Sequence, residues 1–160
     1  GGVIVNLDNP GQLKIAFERL EEKIKKARNQ KNNLAKIVAQ KQVIGGVEVI
    51  VGVKRDKNFG NVLLFGAGGI LAELIDDKNL KLLPLDLKSA KELISKSRVF
   101  KLLNGYRGKK PMAIEKLANL MVKLSALAEA NNKISEIEIN PVIVTEKEAW
   151  AVDGRVIIES

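Results

Sequence analysis

The sequence has 160 residues, 46% of them hydrophobic and 29% charged, with a formal net charge of +8. That is the length and balance of one soluble globular domain with a core of its own. It contains no cysteine and no histidine, which excludes disulfides, thiolate chemistry and histidine acid–base work, and leaves any metal to oxygen ligands.

No apolar run reaches the length of a membrane span, and the opening GGVIVNLDNP lacks the pattern of a secretory signal. The chain therefore reads as cytoplasmic, with no membrane partner. Lys23, Lys25, Lys26, Lys88, Lys91 and Lys96 are spread along presumed helix faces without interleaved aromatic residues. A solvated, lysine-rich surface is thus the plainer reading of the basic excess, and no nucleic-acid partner is expected.

In chain order, residues 2–7 alternate weakly and read as a short strand. Asn9-Pro10 opens a helix, with Asn9 as N-cap, Pro10 at the first helical position and Gln12 placed for a capping box. Leu13, Ala16, Phe17, Leu20 and Ile24 form its apolar stripe, and the helix fades in the polar run 29–33. Residues 34–43 read as a strand, and Ile44-Gly45-Gly46 turns the chain into a central hairpin. In 47–53, Val47, Val49, Val51 and Val53 share one face while Glu48, Ile50 and Gly52 share the other. A polar turn, 55–60, leads to a second apolar strand, 62–65, which ends on Gly66-Ala67-Gly68-Gly69.

Glycines in that density let a backbone bend and bring bare N–H groups close to an anion. Taken alone they are weak evidence, and a tight connection between strands is the plainer reading. Glu48 is harder to dismiss, because a carboxylate beside Ile50 and Gly52 needs a partner or points into a cleft. Residues 70–75 read as a strand carrying Glu73, 76–79 as a turn, and 80–85 as an edge strand with Pro84. Helices follow over 86–95 and 99–103, the latter capped at Asn104-Gly105. Tyr106-Arg107-Gly108 is a polar loop whose Arg107 can fork onto a phosphate or carboxylate. A fourth helix begins at Pro111 and ends at Asn131-Asn132, its apolar face made by Ile114, Leu117, Met121, Leu124 and Leu127-Ala128.

The last quarter carries the sharpest pattern. Residues 134–145 read as a strand with Ile137, Ile139 and Pro141 on one face and Glu136, Glu138 and Asn140 on the other. A turn at 145–148 and a returning strand, 149–158, bring Asp153 back toward Glu138 and Asn140. Two carboxylates and an amide oxygen suit a hard cation such as Mg²⁺. Without further context, a solvated face for Glu138 and Asn140 remains the plainer alternative. No repeat or low-complexity linker appears, so residues 1–160 read as one domain.

The segments VAQKQVIGGVEVIVGVKRDKNFGNVLLFGAGGI, GYRG, EIEINPVIV and AVDGRV, in this order and spacing, supply that context. They resemble the ATP-grasp portion of ADP-forming (NDP-forming) acyl-CoA synthetases, such as the β subunit of acetyl-CoA synthetase, and more distantly the β chain of succinyl-CoA synthetase. The likeness covers essentially the whole chain. It implies an α+β fold, a partial ATP-grasp fold with a mainly antiparallel sheet and helices packed on one side. It also implies the reaction acyl-CoA + ADP + phosphate = acid + CoA + ATP, run through a phosphohistidine with Mg²⁺ and ATP/ADP as cofactors.

Carried over by position, the resemblance makes Asn140 and Asp153 magnesium ligands and Glu138 the glutamate that steadies the phosphohistidine. Glu48 becomes the acidic residue of the nucleotide cleft. Ala39, Gln40, Lys41, Gln42 and Val43 become the hinge strand along adenine and ribose, with Lys41 standing where the family usually has Glu. Gly66, Gly68 and Gly69, followed by Glu73, become a loop facing the phosphates, with Arg107 assigned to the same region.

The start, Gly1-Gly2-Val3, corresponds to a point already inside the fold. The upstream phosphate-binding lobe and the CoA-binding domain therefore fall outside these residues. The resemblance thus implies a chain inactive alone, joined in a hetero-oligomer to a CoA-binding α subunit or domain that carries the phosphohistidine. Two rival readings share the fold: the acyl-CoA-synthetase-like regulatory region of a protein acetyltransferase, and another ATP-grasp carboxylate ligase.

Overall fold

The structure, a computed structural model, describes residues 1–27, 36–69, 72 and 76–159. These group into two compact units, residues 1–44 and residues 45–160. In the first, α1 (Pro10–Ala27) starts as its capping residues dictate. The Gln12 amide donates to Asn9 Oδ1 at 2.9 Å, and Gln12 Oε1 accepts from the Asp8 amide at 2.7 Å. The first bond satisfies one of the helix's orphan donors, and the second ties the residue ahead of the cap to the first turn. Lys25 and Lys26 sit in the last turn, where cations complement the helix dipole.

The strands expected over 2–7 and 34–43 do not form among the described residues. A strand needs a partner row of backbone groups, and side chains take that role here. The Asn6 amide donates to Gln42 Oε1 at 2.7 Å, Gln42 Nε2 donates to Asn6 Oδ1 at 2.9 Å, and Asn6 itself turns at φ 60°. Residues 28–35 lie outside the description, and so does most of the expected strand 70–75 with Glu73.

The second unit is built on a six-stranded sheet. β1 (Val47–Asp56) and β2 (Gly60–Ala67) form a hairpin whose turn is held by Asp56 Oδ1, which accepts from the Asn58 and Phe59 amides at 2.8 and 3.0 Å. β3 (Lys78–Leu82) pairs with β2. Then come α2 (Leu87–Lys96), the one-turn α3 (Phe100–Leu103) and α4 (Ile114–Ala130). β4 (Ile134–Val144) pairs with β1, and its other edge carries β5 (Ala149–Ala151) and β6 (Gly154–Ile158). The strand order is β3-β2-β1-β4-β5, with β6 also on β4, and every pairing is antiparallel.

Strand alternation sorts this sheet into two faces. Val49, Val51, Val53, Leu63, Phe65, Ala67, Val142 and Val144 are buried against Ile94, Leu117, Met121 and their neighbours on α2 and α4. Each fully buried Leu, Ile or Phe contributes roughly 1.5–3 kcal/mol of apolar transfer free energy. Helices of this unit thus cover one face. The opposite face is open, and it carries Glu48, Ile50, Gly52 and Lys54 on β1.

The expected alternation of β4 holds only to Ile139. Val51 pairs with Ile139 but Val49 pairs with Val142, so Ile50 stands against two residues, Asn140 and Pro141. This bulge flips the parity: Val142 and Val144 are buried, and Pro141 does not continue the Ile137–Ile139 face. In α4, Leu127 is likewise exposed rather than part of the buried stripe.

Candidate functional site

The open face of the sheet is floored by apolar side chains and edged by charge. A cleft of about 660 Å³ lies on it, lined by Ile50, Val62, Leu64, Leu80 and Leu82, with Lys54, Lys81, Asp56, Glu136 and Glu138 among its polar residues. That is the size and mixture of an organic-ligand site. Asp56 is a charged rim group, because the Asn58 and Phe59 amides bonded to its carboxylate hold it below the usual carboxylate range.

Glu48 sits where β1 meets the glycine corner. The Gly68 amide donates to the Glu48 carbonyl at 3.0 Å, and Gly69 turns at φ 56°. A Cβ on Gly69 would overlap the Glu48 carboxylate, so the bare Cα of Gly69 is what admits that side chain. At Gly68 a Cβ would lie 2.7–3.0 Å from the Val49 backbone, and at Gly66 it would overlap the Asp77 carbonyl. Each of the three glycines therefore allows a close approach that no other residue would. Glu48 is exposed, and no hydrogen bond or ion pair holds its carboxylate among the described residues.

Toward the other side of the face, Asn140 and Asp153 come together. The register pairing Ile139 with Gly154 and Val142 with Ala151 sets them opposite each other, and the Asn140 amide donates to the Asp153 carbonyl at 3.0 Å. Asp153 lies in the short break between β5 and β6, so this backbone bond, rather than a ladder pair, holds it beside Asn140. Both side chains are exposed and make no hydrogen bond or ion pair among the described residues. Glu138, two residues before Asn140, pairs across the strands with Arg155, whose Nη2 lies 3.4 Å from Glu138 Oε2. Among the described residues no three His, Cys, Asp or Glu side chains gather as a metal cluster. The donors here are instead one amide oxygen and one carboxylate, with Glu138 beside them.

The remaining expected site residues divide between the two units. Ala39, Gln40, Lys41 and Gln42 are exposed and Val43 half-buried, all in irregular backbone of the first unit. Arg107 is an exposed loop residue at φ 51°, its guanidinium 5.4 Å from the centre of the Tyr106 ring. Two features escaped the sequence reading. The bulge at Asn140-Pro141 was signalled by a proline inside a strand pattern. Arg155 was signalled by its place in the returning strand opposite two glutamates.

No helix among the described residues is long and apolar enough to cross a membrane. An ATP-grasp domain family model matches residues 1–158. The β subunit of the ADP-forming acetate–CoA ligase I of Pyrococcus furiosus is 38% identical over 160 residues, covering 99% of this chain and 68% of that subunit. The ADP-forming 4-hydroxybutyrate–CoA ligase of Nitrosopumilus maritimus is 40% identical over 147 residues, covering 92% of this chain but only 21% of that longer protein. Among solved structures, a dinucleotide-forming acetyl-coenzyme A synthetase of Ca. Korarchaeum cryptofilum matches with a TM-score of 0.84 and 32% identity, over 99% of this chain and 68% of that one. That structure is described as a complex with coenzyme A and Mg-AMPPCP, its phosphohistidine segment pointing towards the nucleotide binding site. The chain belongs to the ATP-grasp family, among the ADP-forming acid–CoA ligases.

Proposed function

We propose that this chain is the nucleotide- and magnesium-binding portion of an ADP-forming acyl-CoA synthetase, and that residues 1–160 work there as a single ATP-grasp domain. The observation that carries the reading is the open sheet face, which gathers Glu48 on its glycine corner, Asn140 opposite Asp153, and Glu138 beside them. The nucleotide phosphates lie along this face, and Ala39, Gln40, Lys41, Gln42 and Val43 are the hinge assigned to the base and ribose. Glu48 takes a ribose hydroxyl or a cation, and Gly66, Gly68 and Gly69 face the phosphates with Arg107. Asn140 and Asp153 offer two hard oxygens free of protein partners, which fits Mg²⁺, an ion that binds through a few protein oxygens plus substrate phosphates. When bound, Mg²⁺ neutralises charge on the nucleotide phosphates.

Glu138 accepts a hydrogen bond from the phosphohistidine ring and so holds it at the nucleotide. The 160 residues include no histidine, so that ring comes from a CoA-binding α subunit or domain of the same cytoplasmic hetero-oligomer. The reaction is acyl-CoA + ADP + phosphate = acid + CoA + ATP. Calorimetric titration of this chain with Mg-ADP, alone and with its CoA-binding partner, tests the reading. Mg-dependent nucleotide binding that needs more Mg²⁺ in Asp153→Asn, and acyl-CoA-driven ATP formation only with the partner, are expected. Nucleotide binding indifferent to Mg²⁺ and to Asp153 would overturn it.

A further inference from the structure

Arg155 is a basic side chain of the open face to which nucleotide and metal binding assign no role. Arg155, on β6, stands opposite Glu138, and its Nη2 lies 2.5 Å from Glu136 Oε1 and 3.4 Å from Glu138 Oε2. Glu136 and Glu138 are two residues apart on one side of β4, so one guanidinium spans both carboxylates. Their other neighbours differ. Across on β1, Glu136 faces Lys54, whereas Glu138 faces Gly52, which has no side chain. Glu136 is thus flanked by cations on both sides, and its contact with Arg155 is the shorter. Glu138 is flanked by Arg155 on one side and by the open cleft on the other.

We propose that Arg155 is a positioning residue, anchored on Glu136, that holds the Glu138 carboxylate in place beside the gap over Gly52. The inference rests on the reading that Glu138 meets the phosphohistidine. An unanchored Glu138 would still bear its charge, but it would sample several rotamers and be repelled by Glu136. A planar guanidinium can bond two carboxylates at once in a fixed geometry, which a lysine ammonium on a flexible stem reproduces poorly. Misplacing a group that meets the reacting partner by about 1 Å can cost on the order of 100-fold in rate.

The test uses the complete ligase and follows its two half-reactions separately. In the first, acyl-CoA, phosphate and the histidine give phosphohistidine, with release of CoA and the free acid. In the second, the N–P bond of that histidine breaks as a β-phosphate oxygen of ADP takes the phosphoryl group. Arg155→Ala is expected to slow the second step about 10- to 100-fold, leaving the first step and the Kd for Mg-ADP within about twofold. Arg155→Lys is expected to recover part of the lost rate, and it serves as the readout should Arg155→Ala not fold. Wild-type transfer rates in these variants, or equal losses in both half-reactions, would overturn the positioning role. Glu138→Gln is measured alongside. If it too leaves the second step unchanged, the reading of Glu138 fails; if it slows that step while the Arg155 variants do not, only the positioning inference fails.

Discussion

Asn140 on β4 meets Asp153, in the break between β5 and β6, through the Asn140 amide and the Asp153 carbonyl at 3.0 Å. Their backbones are committed to each other while their side chains are not. Asp153→Asn therefore removes a charge from the pair without removing a structural bond. The expected result is a rise of about 10-fold or more in the Mg²⁺ concentration needed for half-maximal nucleotide binding. The melting temperature of the chain should move by no more than about 2 °C. Magnesium titration of nucleotide binding beside thermal melts checks both, and an unchanged Mg²⁺ requirement would remove Asp153 from the site.

Much of this arrangement was legible in the sequence because period-2 patterns are strong where one face is buried. Val49, Val51 and Val53 announce β1, and the returning strand set Asp153 opposite Asn140 by counting from the turn. The bulge was not legible by counting, since it depends on the partner strand: one residue, Ile50, faces two. The strands expected over 2–7 and 34–43 failed for a related reason. Alternating residues qualify a segment for a ladder, but only a neighbouring row of backbone groups makes one, and side-chain amides of Asn6 and Gln42 took its place. Which of Glu136 and Glu138 meets a cation was also hidden, because that depends on cross-strand register.

Ser125 supplies a stability prediction remote from the site. Its buried hydroxyl accepts from the Leu85 amide at 2.9 Å, tying the chain ahead of α2 to the buried side of α4. Ser125→Ala leaves that buried amide unpaired, at a cost of about 1–3 kcal/mol. Ser95→Ala removes an exposed hydroxyl bonded to the Glu92 carbonyl, and its effect should stay within about 0.5 kcal/mol. Urea denaturation of the two variants compares them directly; equal midpoints would show that Leu85 finds another acceptor.

The acid limb of stability should report Asp86. This residue caps α2 by accepting from the Ser89 amide at 2.7 Å, and that bond holds its carboxyl below the ordinary value of 3.8. A carboxyl depressed in the folded state contributes stability that is complete above its unfolded value. The contribution is lost as pH falls through the folded one. Asp86→Asn keeps an oxygen at the cap but cannot titrate. The stability difference between wild type and Asp86→Asn should therefore be constant above about pH 5 and shrink below about pH 4. Urea midpoints across that range decide it, and a difference independent of pH would show that the cap acts through geometry alone.

Gly69 and Glu48 offer the sharpest test of the nucleotide end. A Cβ at position 69 meets strain twice, from a φ of 56° and from overlap with the Glu48 carboxylate. The carboxylate is the end of a flexible side chain, so in Gly69→Ala it swings away rather than unfolding the corner. Gly69→Ala should thus weaken nucleotide binding much as Glu48→Ala does, and the double variant should bind no worse than either, since both changes remove the same group. Gly60→Ala is the control for backbone strain alone. It too has positive φ, 76°, but a Cβ there meets open space, so it should cost roughly 1–2 kcal/mol of stability and leave nucleotide affinity unchanged. Titration of the four variants with Mg-ADP reads the outcome. Additive losses in the double variant would mean that the glycine corner and Glu48 act on the nucleotide separately, and wild-type affinity in Glu48→Ala would take the carboxylate out of the cleft altogether.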